Sequence, residues 1–300
     1  MAIGDLISAS DYNTIRNKII NVMGVGVGNS GYGQTTFSTA VSAGNTITKA
    51  QWDALRYDIY NVLLHQTGAA PSLVTIAPSG VIAYGAGNPN TQYDTLADQA
   101  VTNRFDLGTG QFVTQVIGSE SFTNSWYQSL SSTVTVTFNT SEEARFFFNS
   151  GGKIRFSSSR SGGTGTAQNT AWSNLLSSVG TQVFAGNSPG INFFSLTSSY
   201  QTVFNLTASS PYSANIWRIE ALCNVSNNSA GTANIVTFRV SWIDGYFDPG
   251  PEPSPAPGDL VDGTLTLSVD SVRASGALTP AGSFTIANYA SASVGSISGS

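Results

Sequence analysis

Apolar residues recur at helical spacing near the start of the chain and with a period of two over much of the rest. Tyr12, Ile15, Ile19 and Val22 form one stripe, and Trp52, Leu55, Ile59 and Val62 form a second. Both spacings predict amphipathic helices. Each stripe opens on a Ser or Thr with a side-chain acceptor three residues on, Ser8 with Asp11 and Thr48 with Gln51, which is the pattern of a helix start. Gly24 and Gly68 supply the stops. The two segments repeat at an offset of 40 residues, from Ile7 against Ile47 to Val22 against Val62. Two such stripes can bury each other in a helical hairpin within one chain, or serve for docking on a neighbouring chain. Tyr12, Ile15, Ile19, Trp52, Leu55 and Ile59 are therefore the candidate packing and assembly residues.

Residues 68–111 read as a connector, broken by Pro71, Pro78, Pro89 and several glycines. Within it TQYDTLADQAVTNRF reads as a helix capped by Thr91, with Leu96, Ala100 and Phe105 as its contacts. SLVTI and GVIAY read as short strands or as extended arms.

From Phe112 the period changes to two. FVTQVIG alternates, and SSTVTVTFN sets Val134, Val136 and Phe138 on one face against Thr133, Thr135 and Thr137 on the other. Thr140 to Gly163 reads as helix, glycine stop, strand and glycine loop. Thr140 and Glu143 start it, Ala144, Phe147 and Phe148 form its apolar face, and KIRFSSS buries Ile154 and Phe156. TAQNTAWSNLLSSVG predicts a second helix, with Trp172, Leu175, Leu176 and Val179 inward. FFSLT, YQTVFNLTA and IWRIEALCNVS are strand candidates. Asn227 to Gly231 reads as the turn into a returning strand, ANIVTFRVSWIDGY. DPGPEPSPAPG is proline-rich and extended. GTLTLSVDSVRASG and GSFTIANYA then read as a last hairpin.

The fold expected is mainly β with helical insertions, an N-terminal two-helix repeat region followed by a β-sandwich-like body. Its parts are a helical repeat or adaptor region (1–70), a connector with a short helix (71–111), a β-rich body with two inserted helices (112–258), and a C-terminal β-hairpin belonging to the same body (259–300).

Composition narrows the function classes. Charged residues make up 10% of the chain, against about a quarter in an average soluble protein. Ser, Thr, Asn, Gln and 31 Gly take their place, with 16 Phe, 11 Tyr and 5 Trp, a neutral aromatic balance typical of β-rich extracellular and virion proteins. A net charge of −5 and scattered Lys and Arg argue against a nucleic-acid face. No apolar run approaches the ~18 residues that span a bilayer, so no membrane insertion is expected. The sequence opens without a basic-apolar signal. The single cysteine, Cys223, lies in a period-two stretch and reads as a small buried hydrophobe.

The run ARFFFNSGGKIRF, with AWSNLLSSVGT after it and NVSNNSAGTANIVTFRVSWIDGY later, resembles a family of tailed-bacteriophage virion structural proteins abundant in phages of marine cyanobacteria. GYGQT, ITKAQWDALRYDI and LHQTG are similar to sequences that also lie near the amino terminus in that family. The resemblance covers roughly residues 1–70 and 112–260. It implies an oligomeric tail, baseplate or neck protein of the fibre or adaptor type, assembled in the host cytoplasm. Its partners would be copies of itself, in a trimer or hexamer, and other virion proteins. Two alternatives remain open, a capsid head-decoration protein and a receptor- or glycan-binding tail module that engages a host-surface glycan.

The residues themselves point away from catalysis. One Cys and one His, His65, fall short of the three or four ligands of a zinc site. No nucleophile elbow, Walker pattern or dinucleotide fingerprint occurs, and GGTGT at 162–166 lacks the lysine of a phosphate loop. Glycoside hydrolysis needs two carboxylates and an aromatic platform. Glu120, Glu142, Glu143, Glu220, Asp244 and Asp248, with Trp126, Trp217 and Trp242, are the residues that could supply them. Asp244, Asp248, Asp259 and Asp262 are the loop carboxylates open to calcium, at spacings that match no known loop. The expectation is a protein that is no enzyme, with no cofactor and no metal.

Overall fold

The computed structural model describes residues 8–73, 93–247, 259–274, 286 and 288–299. Over these residues the chain is mixed α/β and rich in strand, with five α-helices and ten strands in two antiparallel sheets. Its contacts gather into two compact units. The first takes in the described residues of Met1–Val113, Arg145–Gly152 and Arg273–Asn288, the second those of Thr114–Ala144, Lys153–Val272 and Tyr289–Ser300.

The first unit is built on α1 (Ala9–Met23), α2 (Lys49–Thr67) and α3 (Tyr93–Thr102). Reciprocal caps start the first two helices. Asp11 N donates to Ser8 Oγ (3.2 Å) and Ser8 N to Asp11 Oδ2 (2.9 Å); Gln51 N donates to Thr48 Oγ1 (3.3 Å) and Thr48 N to Gln51 Oε1 (2.8 Å). Each pair satisfies two backbone donors that the helix leaves orphaned. The apolar stripes of α1 and α2 then meet in one core with Leu96, Ala97 and Ala100 of α3. Each large aliphatic side chain so buried contributes roughly 1.5–3 kcal/mol. Lys18 of α1 bonds Asp94 (2.8 Å) and Asp98 (2.6 Å) of α3. The connection from α1 to α2 is tied at three points. Asn13 exchanges two hydrogen bonds with the Val41 backbone, Arg16 Nε donates to Ser38 O, and the buried Asp58 carboxylate accepts from the N–H groups of Phe37 and Ser38. Thr91, the expected cap of α3, lies outside the described residues, with GVIAY and most of SLVTI. The helix ends at Thr102, short of Phe105, which is half-buried.

The second unit holds most of both sheets. The first runs in the order β1 (Phe112–Phe122), β8 (Thr264–Ala274), β3 (Lys153–Ser161), β4 (Thr181–Ala185). The second runs β10 (Ser298–Gly299), β2 (Leu130–Thr137), β7 (Ile235–Ile243), β6 (Ile216–Cys223), β5 (Gln201–Thr207), and β9 (Ser291–Val294) also pairs with β2. Val134, Val136 and Phe138 are all buried, as the alternation along β2 requires. The turn from β6 to β7 carries Asn228 and Ser229 at φ of 45° and 64°, the left-handed region that Asn tolerates best among non-glycine residues. Phe156 of β3 packs tilted, and Phe184 of β4 edge-on, against Phe238 of β7 at centroid distances of 4.9 and 5.1 Å. Trp242 Nε1 on β7 donates to Ser158 Oγ on β3 (3.0 Å). α5 (Ala167–Val179) starts on Thr166, whose hydroxyl accepts from Asn169 N, and it buries Trp172, Leu175, Leu176 and Val179. α4 (Ser141–Asn149) begins as Thr140 Oγ1 accepts from Glu143 N (3.1 Å), but the Glu143 carboxylate reaches back to Asn139, one residue beyond the expected partner.

Two expectations are corrected. FFSLT is not a strand. Asn192 Oδ1 accepts from the N–H groups of Phe194 and Ser195 and winds Phe193–Ser195 into a single 3₁₀ turn. The stretch from 259 onward differs from the hairpin read there. β8 has β1 on one side and β3 on the other, so both its ladder edges are taken, and β9 and β10 lie against β2 in the other sheet. DPGPEPSPAPG and most of GSFTIANYA lie outside the described residues.

Candidate functional site

The six candidate residues on α1 and α2 are all interior. Tyr12, Ile19, Leu55 and Ile59 are 0% exposed, Ile15 3% and Trp52 4%. They pack the first unit within one chain and present no surface, so the surface it offers must come from elsewhere.

The surface comes from the glycine-rich loop after α1, GVGVGNSGYG at 24–33. Its neck is closed by Gly33 N donating to Gly24 O (2.9 Å) and Gln34 N to Met23 O (2.9 Å). Two of its glycines are obligatory. Gly26 and Gly31 have φ of +55° and +90°, and a Cβ there would stand 2.4 Å from Ser30 O and 2.2 Å from Val25 O. The loop has no regular ladder to satisfy its carbonyls. Side chains of the segment 145–152 and of Arg104 do this instead. Arg145 donates from Nη1 to Ser30 O (2.7 Å) and from Nη2 to Val25 O (3.0 Å). Asn149 Nδ2 donates to Gly28 O (3.2 Å) and Gly31 O (3.0 Å), and Arg104 Nε to Asn29 O (3.2 Å). Arg145 is 5% exposed and Asn149 1%. Above this clamp, Val25 and Val27 stand out at 58% and 83% exposure. The loop thus holds two apolar side chains in water on a fixed backbone, which lowers the ordering cost of a protein–protein contact. It carries no carboxylate, histidine or cysteine.

In the second unit, β1 is the edge of its sheet, paired only with β8 among the described residues. It is 11 residues long, and Val116 is 75% exposed. An edge of this length with an apolar side chain in water is a template for another strand.

Several of the remaining sequence candidates have structural occupations. Trp217 and Trp242 are 0% exposed, and Trp126 forms a backbone bridge with Val261 and packs edge-on against Trp172 at 4.9 Å. None of the three is placed to stack on a sugar. Glu220 accepts from Arg239 (2.7 and 2.9 Å) across the β6–β7 ladder. Asp262 accepts from Thr164 N and Oγ1, Asn169 Nδ2 and Arg160 Nη2. Desolvation raises its carboxyl, and these hydrogen bonds prevail and hold it below the usual range. Asp244 is buried and accepts from Gln168 Nε2 (2.6 Å); burial above all, with the charge of Asp259 adding, pushes its carboxyl up to about 7. Asp248 lies outside the described residues. His65 is buried, its Nε2 donating to Ser150 O (2.9 Å), and burial lowers its pKa to about 4. Cys223 is buried with its thiol pushed up to about 12. Among the described residues no group of three or more His, Cys, Asp or Glu is placed to hold a metal ion, and no helix is long and apolar enough to cross a membrane.

Sequence reasoning missed the loop clamp. Its signal was present, glycine at 24, 26, 28, 31 and 33, together with a basic residue and an amide four apart on α4. Comparison with protein-family models, curated proteins and solved structures finds no match.

Proposed function

We propose that this chain is a structural component of a bacteriophage virion, acting through protein–protein contacts and without catalysis. It forms a homo-oligomer, a trimer or hexamer, joined to other proteins of the tail, baseplate or neck. Its segments at roughly 1–70 and 112–260 resemble such proteins. The observation that carries the reading is the edge strand β1, with Val116 75% exposed and a backbone ladder paired on one side only among the described residues. The loop holding Val25 and Val27 in water supplies a second contact. In this reading the two sheets are the layers of a sandwich-like body, with Phe156, Phe184 and Phe238 between them. The helices α1 and α2 are two copies of one helical element, each opening on a reciprocal cap.

The test is quantitative mass spectrometry of purified particles, counting this chain against the major capsid protein. A handful to a few dozen copies fits a tail, baseplate or neck position. Hundreds would make it a head-decoration protein, and absence from the particle would overturn the virion reading.

A further inference from the structure

α5 faces the end of β5 and the β5–β6 turn across a groove of about 610 Å³, within the range of small-ligand sites. Thr170, Asn174 and Ser178 line it from the helix, and Thr207, Ser210 and Tyr212 from the other wall. Leu175 and Leu206 give it an apolar component. No Asp, Glu, Lys, Arg or His lines it among the described residues.

The polar groups are of two kinds. Thr170 Oγ1 donates to Thr166 O (3.1 Å) and Ser178 Oγ to Asn174 O (2.8 Å). Their protons are thus taken by the helix, and their oxygens remain as acceptors. Asn174, between them, is exposed and has no partner for its amide among the described residues. It keeps both a donor and an acceptor for a ligand. The opposite wall is fixed by its own turn. Tyr212 N donates to Ser209 O, Asn215 N to Tyr212 O and Ala208 N to Asn215 O, all at 2.9 Å. The buried Asn215 Oδ1 accepts from Gly245 N and Tyr246 N, and the Tyr246 ring lies 4.5 Å from that of Tyr212.

This lining restricts the ligand. A phosphate or carboxylate would give up hydration with no cation to receive it. A purely aliphatic ligand would leave the hydroxyls and the amide unpaired. A sugar ring meets both demands, with hydroxyls at its edge and C–H groups on its face, and an aromatic side chain suits that face. We infer that the groove between α5 and the β5–β6 turn binds a neutral oligosaccharide. The inference uses Tyr212 in place of the buried tryptophans, and it stands whether or not the chain assembles into a virion.

The intact protein is screened on an array carrying neutral and sialylated oligosaccharides, and the best neutral binder is titrated by calorimetry. Neutral sugars are expected to bind, with an affinity unchanged by added salt. Asn174→Ala and Tyr212→Ala should each weaken binding about tenfold, the loss of one good hydrogen bond or ring contact. Asn174→Trp, at an exposed position, fills the groove and should abolish binding while thermal unfolding stays unchanged. If Tyr212→Ala does not fold, the Asn174 variants decide. Binding restricted to sialylated sugars, no neutral binder on the array, or full affinity in Asn174→Trp would each overturn the assignment.

Discussion

Tyr12 and Trp52, forty residues apart in the chain, meet edge to face with ring centroids 5.1 Å apart and planes at 90°. Each is the first aromatic of its helix's apolar stripe, and the two pack against each other. The Tyr12 hydroxyl donates to Gln51 O (3.1 Å), a carbonyl in the first turn of α2, and Trp52 also contacts the Tyr93 ring at 5.5 Å. One residue thus links all three helices of the first unit. An edge-to-face pair adds about 0.5–1.5 kcal/mol beyond the area it buries.

Truncating Trp52 should therefore cost far more than trimming Tyr12. Trp52→Ala leaves a cavity among three helices, and about 3–5 kcal/mol is expected. Tyr12→Phe keeps the ring and loses one hydrogen bond, at about 0.5–1.5 kcal/mol. Urea unfolding followed by the far-ultraviolet helix signal checks both values. Equal costs would mean that the ring pair is not what holds α1 to α2.

Arg145 supports the glycine-rich loop from inside. Removing it leaves the carbonyls of Ser30 and Val25 without these donors, at about 1–3 kcal/mol for each that stays dry. Arg145→Ala should raise amide exchange through 24–33 and open the loop to proteolysis. Lysine carries one ammonium where the guanidinium holds two carbonyls apart, so Arg145→Lys should restore only part of the protection. Full protection in Arg145→Ala would show that the neck hydrogen bonds alone fix the loop.

If β1 is an assembly edge, a charge on it should weaken the oligomer without unfolding the chain. Val116 is 75% exposed, so Val116→Lys should change stability by less than about 0.5 kcal/mol. A lysine on an edge strand opposes further pairing. Native mass spectrometry should show the variant shifted toward the monomer. An unchanged oligomer would exclude β1 from the interface.

The local devices of this fold were legible in the sequence, and the long-range ones were not. The caps at Ser8 and Thr48, the alternation of β2 and the Asn227–Gly231 turn each depend on residues within a few positions, where pattern and physics coincide. Arg145 and Asn149 occupy the polar side of a nine-residue helix, and sequence alone reads such a side as solvated. They are buried because distant carbonyls at 25–31 need donors. FFSLT failed for a related reason: two phenylalanines look like strand, but the Asn192 side chain offers a competing local hydrogen bond. The place of β8 between β1 and β3 is a matter of pairing partners far along the chain, which alternation does not encode. The groove beside α5 was hidden because its lining is ordinary Ser, Thr and Asn in a chain rich in them.

Two buried groups should give the two units opposite responses to pH. His65 titrates near 4 in the fold and near its usual 6.5 when exposed. Between those values the unfolded chain takes up the proton first. Its contribution to the first unit is present above pH 6.5 and is lost as pH falls toward 4, by at most about 3 kcal/mol. Asp58, raised by burial in the same unit, works against this trend, so the variant comparison isolates the histidine. Asp244 is the reverse case, raised from 3.8 to about 7. Its protonated form is favoured in the fold, so its contribution is full below pH 3.8 and is lost as pH rises to about 7, by at most about 4 kcal/mol. Amide exchange read separately in α2 and in the β6–β7 ladder, across this range, resolves the two slopes. Asp244→Asn keeps an acceptor for Gln168 and removes the charge, so it should flatten the slope in the ladder and stabilise it at about pH 8. His65→Gln keeps a donor for Ser150 O and should remove the acid loss in α2. A ladder whose slope survives Asp244→Asn would mean that another group carries it.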